Sequence, residues 1–478
     1  MRKLKGLSPE SVFSYFEEIC AIPHGSGNTK RISDYLVAFA KKHNLKYVQD
    51  AANNVILFQE GTEGYEDHAP VILQGHMDMV CEKDENCPLN METDGLDITH
   101  DGEYVFAKGT TLGGDDGIAV AYILALLADK TIPHPPVEAI ITVDEEIGML
   151  GADVIDLSML KGRTLINVDS EEEGVFTVSC AGGATATITL PAPRHAVYGP
   201  CIRLVVDGLQ GGHSGVEIHK NRANANKVMG ELLSRVQAIM PVCLTSFSGG
   251  AKDNAIPRSC QATMVMLGMQ PERINDIAQQ LQEEIRTQYD EPEAVVYGEN
   301  VEALGGNALS AELSATVTAI LCAAPNGVQK MSSDVEGLVQ TSLNLGIAKL
   351  EEDMVFTFSV RSSVDAEKEE LLEKLRQLAA FHGANYSQMG DYPAWEYRAD
   401  SPLRDTMVRI YQDMFGKDPV VNAIHAGLEC GLLGKKLPGL DCVSIGPDMC
   451  DIHTSRERLN IASTQRTWEF LKEILKAL

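Results

Sequence analysis

No run of about 18 apolar residues occurs in this chain, so no segment is suited to crossing a bilayer as a helix. The N-terminal stretch MRKLKGLSPESVFSYFEEICAIPHGSGN starts basic but lacks the roughly 7–15-residue apolar core of an export signal. The 11 cysteines are scattered, with no CxxC pair. The nearest two, Cys81 and Cys87, make no metal site by themselves, and reduced thiols in a cytoplasm are the expected state. Cations are also in short supply, with 40 Lys and Arg against 68 Asp and Glu for a net charge of −28. Nucleic acid and anionic membrane would both repel such a surface, so neither is expected as a partner.

What the chain does have is length and an ordinary globular composition. Its 478 residues, 44% apolar and 23% charged, exceed what one hydrophobic core usually serves, so at least two domains are expected. Ser8 is placed to cap a first helix on which Val12, Phe13, Phe16, Ile19 and Cys20 share a face. Near-continuous apolar runs follow at 54–59, 69–74, 137–143 and 164–168 and read as strands. Between two of them GIAVAYILALLAD (117–129) is apolar almost all round, as a buried helix would be. Buried strands alternating with helices predict an α/β sheet covered on both faces.

The pattern changes near TLPAPRHAVYGPCIR (189–203), where prolines punctuate the chain. Beyond it the strands at 202–209 and 354–363 partly alternate apolar with polar, and helices are expected at 223–240 and 366–383. A second break, GDYPAWEYRADSP (390–402), precedes a helix near 403–416, a strand at 440–446 and a closing helix at 463–478. The expected organisation is one α/β domain split in sequence, 1–186 and 395–478, with an α+β domain inserted at 187–394.

The chemistry lies just past the strand ends. AIITVDEEIG ends an apolar run in three acids, Asp144, Glu145 and Glu146, and burying adjacent like charges is unfavourable without a cation among them. VILQGHMDMV puts His76 and Asp78 after another strand, LINVDSEE puts Asp169 after a third, and VSIGPDMCDIHT puts His453 after a fourth. Ligands of open α/β sheets bind outside the carboxyl ends of the strands, so these groups converge if the strands are parallel neighbours. A fifth piece, KGTTLGGDDGIAVAY, sets Asp115 and Asp116 behind two glycines. Asp116 there reads equally as an ordinary helix N-cap, and a phosphate loop is disfavoured because the GK[ST] ending is absent.

Two histidines among several carboxylates suit zinc, with manganese or cobalt as substitutes. The hydrolytic version of such a set holds two metals roughly 3.5–4 Å apart, each with one His, one terminal carboxylate and one oxygen of a shared aspartate. Neighbouring residues of an extended segment point opposite ways, so of Glu145 and Glu146 one can bind metal while the other acts as base. Asp78, two residues from His76, is placed to orient that imidazole.

Together GHMDMV, GTTLGGDDGIA, TVDEEIGMLGA, NVDSEE and HTSRERL resemble the co-catalytic zinc metallopeptidase family of carnosinases, aminoacylases and bacterial carboxypeptidases. The resemblance covers essentially the whole chain and is nearest to its aminoacyl-histidine dipeptidase branch. It implies a zinc-exopeptidase-like catalytic domain with the insert as a lid, and two zinc ions per chain. His76 and Asp169 would hold one ion and Glu146 and His453 the other, with Asp115 bridging and followed by a cis peptide. Glu145 would be the general base and Asp78 the support of His76. An Asp rather than a Glu at position 169 goes with dipeptide substrates. His213 in QGGHSG matches the lid residue that stabilises the oxyanion, Asn254 and Arg361 match residues that hold the substrate carboxylate, and Gly427 and Glu429 match residues lining the pocket.

The implied activity is hydrolysis of Xaa-His and other unblocked dipeptides, β-alanyl-histidine included, through a water shared by the two ions. The implied protein is a cytoplasmic homodimer, with His213 acting either within its own chain or across to the other. The nearest rival is an N-acyl amino-acid deacylase or carboxypeptidase using the same metals. A binding protein that has lost catalysis fits less well, because no ligand position and no base is missing. Nucleotide binding through GGDDG or GLQGG lacks the accompanying lysine. No aromatic or acidic cluster can be assigned to an imidazole pocket.

Overall fold

Apolar side chains on both faces of a strand force it into the middle of a sheet, and four such strands organise one half of this molecule. The computed structural model of the chain describes residues 2–268, 271–335 and 337–478. It contains two compact units, one of Met1–Ser179, Tyr397–Ala423 and Leu428–Leu478, the other of Cys180–Glu396 and Ile424–Gly427.

The first unit is built on an eight-stranded sheet whose central strands run in the order Val137–Thr142, Val71–His76, Thr164–Asn167, Asp441–Ser444. These four are mutually parallel. Their pairing sets His76 against Thr142, Gln74 against Asn167, and Asn167 against Ser444, so their carboxyl ends lie at one edge. Antiparallel strands flank them, Val55–Gln59 beside Val137–Thr142 and Val175–Cys180 beside Asp441–Ser444. The parallel-neighbour condition set by the sequence is met.

The helix Gly114–Ala128 is buried from Asp116 through Leu127, as an all-round apolar sequence requires. Tyr122 stacks on Trp468 of the closing helix Ile461–Ala477 with ring centroids 5.7 Å apart. The first helix, Glu10–Cys20, buries Val12, Phe13, Phe16, Ile19 and Cys20, the face expected. Ser8 does not cap it. Pro9 takes the N-cap position and no side chain bonds to the first turn.

A small four-stranded sheet of the same unit has the order Met449–Cys450, Arg458–Asn460, Tyr104–Ala107, Ile98–His100. It pairs Arg458 with Phe106 and Leu459 with Val105. The loop carrying His453 and the glycine-rich loop leading to Asp115 therefore leave neighbouring strands.

The second unit is a nine-stranded antiparallel sheet with helices Ala225–Gln237, Pro271–Tyr289, Ala311–Ala323 and Asp365–Phe381. Gly182–Leu190 alternates buried Ala186, Ile188 and Leu190 with half-exposed Thr185, Thr187 and Thr189, the signature of a strand with one covered face. Helix residues such as Leu232, Leu281, Val317 and Leu372 join Phe356 and Phe358 of the sheet in one core. Gly383, just past the last of these helices, has φ +68°, the left-handed conformation glycine adopts without a Cβ clash.

Candidate active site

The parallel strands deliver their side chains to one place. His76 ends its strand with 1% of its surface exposed. Its Nδ1–H donates to the Asp78 carbonyl oxygen at 3.0 Å, which leaves Nε2 facing Asp115 Oδ1 at 3.0 Å and Asp169 Oδ1 at 3.6 Å. His453 Nε2 faces the other oxygen of Asp115, Oδ2, at 3.2 Å and Glu146 Oε1 at 2.9 Å. Asp115 thus lies between two imidazoles, each of which also meets one further carboxylate. The peptide that follows it, Asp115–Asp116, is cis.

Among the described residues, ligand-type atoms lie within 4.8 Å of one another in three sets: His76, Asp116 and Asp169; His76, Glu145 and Glu146; Asp115, Glu146 and His453. Asp116 has non-helical backbone angles, φ −118° and ψ 31°, at a kink before the regular turns of the helix Gly114–Ala128, and its Oδ2 accepts the His76 backbone N–H at 3.1 Å. Among the described residues, the ion-pair partners of Asp115, Glu146 and Asp169 are the two histidines alone. Imidazole lone pairs aimed at carboxylate oxygens repel unless a proton or a cation lies between them. Two imidazoles and three acids with no Lys or Arg among their partners fit a pair of divalent cations.

The protonation equilibria record the same tension. Burial lowers the His76 pKa, but hydrogen bonds to Asp115, Asp169 and Asp78 outweigh it and hold the group well above its ordinary value. His453 is pushed up to about 10 by its bonds to Asp115 and Glu146. Asp169 rises to about 6 through burial and the charges of Asp115 and Glu146. Asp115 itself is held well below the usual carboxylate range, because its two histidines outweigh its burial. Glu145 goes far up, from burial first and then from the charges of Asp169, Glu429 and Glu146.

The three consecutive acids divide their surroundings. Asp144, at φ +55°, turns away and accepts the Gly27 backbone N–H at 2.7 Å. The N–H groups of Glu145 and Glu146 donate to Asp78 Oδ1 at 3.1 Å and Oδ2 at 3.4 Å. Asp78 also accepts the Ser26 hydroxyl at 2.8 Å, while its carboxylate stays 3.5 Å from His76 Nδ1. Its carbonyl aligns the imidazole and its carboxylate holds the turn that presents the two glutamates.

Glu429 is 0% exposed, so none of its surface is open to a substrate here. Its Oε2 accepts from Gln74 Nε2 at 2.5 Å and Thr142 Oγ1 at 2.6 Å, and Asn167 Nδ2 donates to Gln74 Oε1 at 2.5 Å. These groups form a polar floor joining three strands. Burial pushes Glu429 up to about 7. Gln74 was missed by sequence reasoning although its signal is visible, a polar residue inside the apolar run VILQGH.

The second unit brings together another set. His213 pairs with Ala255 across a two-residue ladder, and Ser214 N–H donates to the Asn254 carbonyl at 2.9 Å. Gly215 and Val216 N–H donate to His213 Nδ1 at 3.1 and 3.2 Å, so the ring carries its proton on Nε2. Burial, then the charge of Arg361, lowers its pKa and keeps it neutral. The Arg361 guanidinium donates to the Tyr392 hydroxyl at 3.2 Å, and the Asn254 side chain is exposed. His425, unremarked in the sequence, bonds Ser342 Oγ at 2.7 Å and is driven down to about 3 by burial and Arg361. Gly427 is half-buried in the Ile424–Gly427 segment that belongs to this unit.

Known proteins resemble this chain over its whole length. The chain is 36% identical to the cytosol non-specific dipeptidase of Escherichia coli K12, over 100% of this chain and 99% of that protein. The crystal structure of the aminoacylhistidine dipeptidase of Vibrio alginolyticus superposes with a TM-score of 0.93 at 35% identity, covering 99% of this chain and 98% of that one. The aminopeptidase PepT of Bacillus cereus shares the fold alone, with a TM-score of 0.57 at 15% identity over 98% of each chain. The family model described as Peptidase family M20/M25/M40 matches residues 72–477, and with a site of this make the chain belongs to that family of peptidases.

Proposed function

We propose that this peptidase is a dipeptidase acting on unblocked dipeptides, Xaa-His and β-alanyl-histidine among them, with two zinc ions at the strand ends. The observation that carries the reading is the placement of Asp115, whose two oxygens lie 3.0 and 3.2 Å from the Nε2 atoms of His76 and His453. His76 and Asp169 would hold one ion, Glu146 and His453 the other, with Asp115 shared. The names of two relatives that are 35–36% identical over nearly the full chain favour dipeptides over acylated amino acids.

Bound cations supply Lewis acidity at the scissile carbonyl and make water more acidic. The protein supplies the rest. Glu145 takes the proton from the attacking water and returns it to the departing amine nitrogen, a task suited to a carboxylate whose proton affinity burial has raised. Asp78 fixes the backbone of Glu145 and the ring of His76. His213 offers an Nε2–H donor to the developing oxyanion, from its own chain or from a second copy in a homodimer. Arg361 and Asn254 hold the substrate carboxylate, for which a guanidinium is the best-matched donor. The setting proposed is the cytoplasm; among the described residues no helix is long and apolar enough to cross a membrane.

The test is release of histidine from β-alanyl-histidine and alanyl-histidine by the purified chain, with added zinc and with chelator, beside an N-acetyl amino acid. Chelator-sensitive cleavage of the dipeptides alone is expected. Cleavage of the acetylated compound instead would move the protein to the deacylases, and no turnover of either by the zinc-loaded chain would sink the substrate class.

A further inference from the structure

One carboxylate in the first unit has no part in the chemistry above and is 3% exposed. It is Glu457, four residues beyond His453 in HTSRE. Its Oε2 accepts the backbone N–H groups of Leu112 at 2.7 Å and Gly113 at 3.0 Å. Its Oε1 accepts those of Gly114 at 2.7 Å and Asp115 at 3.4 Å. Four successive N–H groups converging on one point make an anion nest, and here the anion is built into the chain. Among the described residues no Lys or Arg forms an ion pair with it, so backbone dipoles carry its charge.

The nest closes because Gly113 adopts φ +69°, and a Cβ there would lie 2.8 Å from Met79 Sδ. A Cβ on Gly114 would lie 3.1 Å from Glu457 Oε1 itself. The two glycines of TLGGDD are thus needed for the backbone to approach the carboxylate, which accounts for the sequence without a phosphate.

We propose that Glu457 is a positioning residue for the two-cation site, fixing the bridging aspartate Asp115 to the same loop that carries His453. The loop lies between the strands Met449–Cys450 and Arg458–Asn460, so Glu457 is anchored at the start of a strand paired with Tyr104–Ala107. One end of the clamp therefore sets the Asp115 backbone and the other sets the His453 segment, and the 3.2 Å approach of His453 Nε2 to Asp115 Oδ2 follows from both. This inference rests on the reading of His76, Asp115, Glu146, Asp169 and His453 as metal ligands.

The experiment is titration of the metal-stripped, full-length chain with cobalt(II), followed by visible absorption and by competition with a chelator. Wild type is compared with Glu457→Gln and Glu457→Asp. The amide must turn an N–H toward the nest, and the shorter acid keeps the charge but loses reach. Affinity is expected to fall about 10- to 100-fold in Glu457→Gln, the usual effect of removing a group that orients a ligand, and less in Glu457→Asp. The cobalt spectrum should change with it. A clamp that only stabilises the fold would lower the unfolding midpoint of the stripped protein while leaving cobalt affinity and spectrum at wild-type values. That result in Glu457→Gln overturns the inference; should the amide not fold, the same result in Glu457→Asp overturns it. Wild type that binds two ions beside an unaltered variant refutes the clamp alone, whereas wild type that binds none refutes the metallopeptidase reading and this inference together.

Discussion

Replacing Asp78 by Asn changes no volume and removes one charge, which isolates what that carboxylate does. Both of its oxygens are occupied in a side chain that is 0% exposed, by Glu145 N–H, Glu146 N–H and the Ser26 hydroxyl. An amide must present its NH2 to one side. Turned toward Glu145 it meets a donor across the 3.1 Å bond; turned the other way it meets Glu146 N–H across the longer 3.4 Å bond, and Ser26 can rotate to accept. The second orientation is the better one and still forfeits one charge-assisted bond, worth about 1.5–3 kcal/mol. If that loss falls on the turn that presents Glu145 and Glu146, kcat/KM drops about 10- to 100-fold, at about 1.4 kcal/mol per factor of ten. Steady-state hydrolysis of alanyl-histidine, with metal content measured per chain, reads the effect. Asp78→Ala, which leaves three donors without an acceptor, should be worse on both activity and stability. An Asn variant within twofold of wild type at equal metal content would refute the idea that this carboxylate holds the catalytic turn.

Glu145→Gln should lower kcat by about 10²- to 10⁴-fold with metal content unchanged; metal lost in parallel would make Glu145 a ligand, since it lies within ligand distance of His76 and Glu146. In chelated protein, His453 has a folded pKa near 10, above an unfolded value near 6.5. Its stabilising contribution is therefore full below about pH 6.5 and vanishes as pH rises through about 10, so the thermal midpoint should fall over that window more steeply than in His453→Asn. Equal slopes in the two proteins would refute it. Gly75→Ala places a Cβ against Asp116 Oδ2 and 2.5 Å from Ala119 Cβ, and should destabilise the chain by about 1–3 kcal/mol in denaturant unfolding.

The sequence carried the architecture of the first unit because its strands are buried on both faces, and burial of that kind leaves a mostly apolar word such as VEAIIT or VILQGH, broken only by residues such as Glu138 and Gln74. Once four such words are parallel neighbours, the residues just past their ends have one place to go, and His76, Glu146, Asp169 and His453 go there. Less legible was whatever depends on a single backbone angle or on backbone donors. Asp144 leaves the cluster through a φ of +55°, which no composition rule for DEE would supply. Glu457 is held by four N–H groups, and backbone donors have no letter in the sequence. Glu429 is assigned to the pocket by resemblance alone, and nothing in the letters around it announces that Gln74 and Thr142 bond its carboxylate at a position with no exposed surface.

The same distinction explains why so many acids can be buried together in the first unit. Asp78 and Glu457 are both fixed by N–H donors: the first anchors the turn bearing Glu145 and Glu146, the second the loop bearing Asp115. In both, oriented amide dipoles offset part of the cost of burying an anion where water cannot reach. Asp115, Glu146 and Asp169 have no such backbone cradle among their described hydrogen bonds, and their oxygens face imidazole nitrogens instead. Acids satisfied by backbone form the frame, and acids left facing histidines form the opening that a divalent cation fits. The division between frame and ligand can therefore be drawn from hydrogen-bond partners alone.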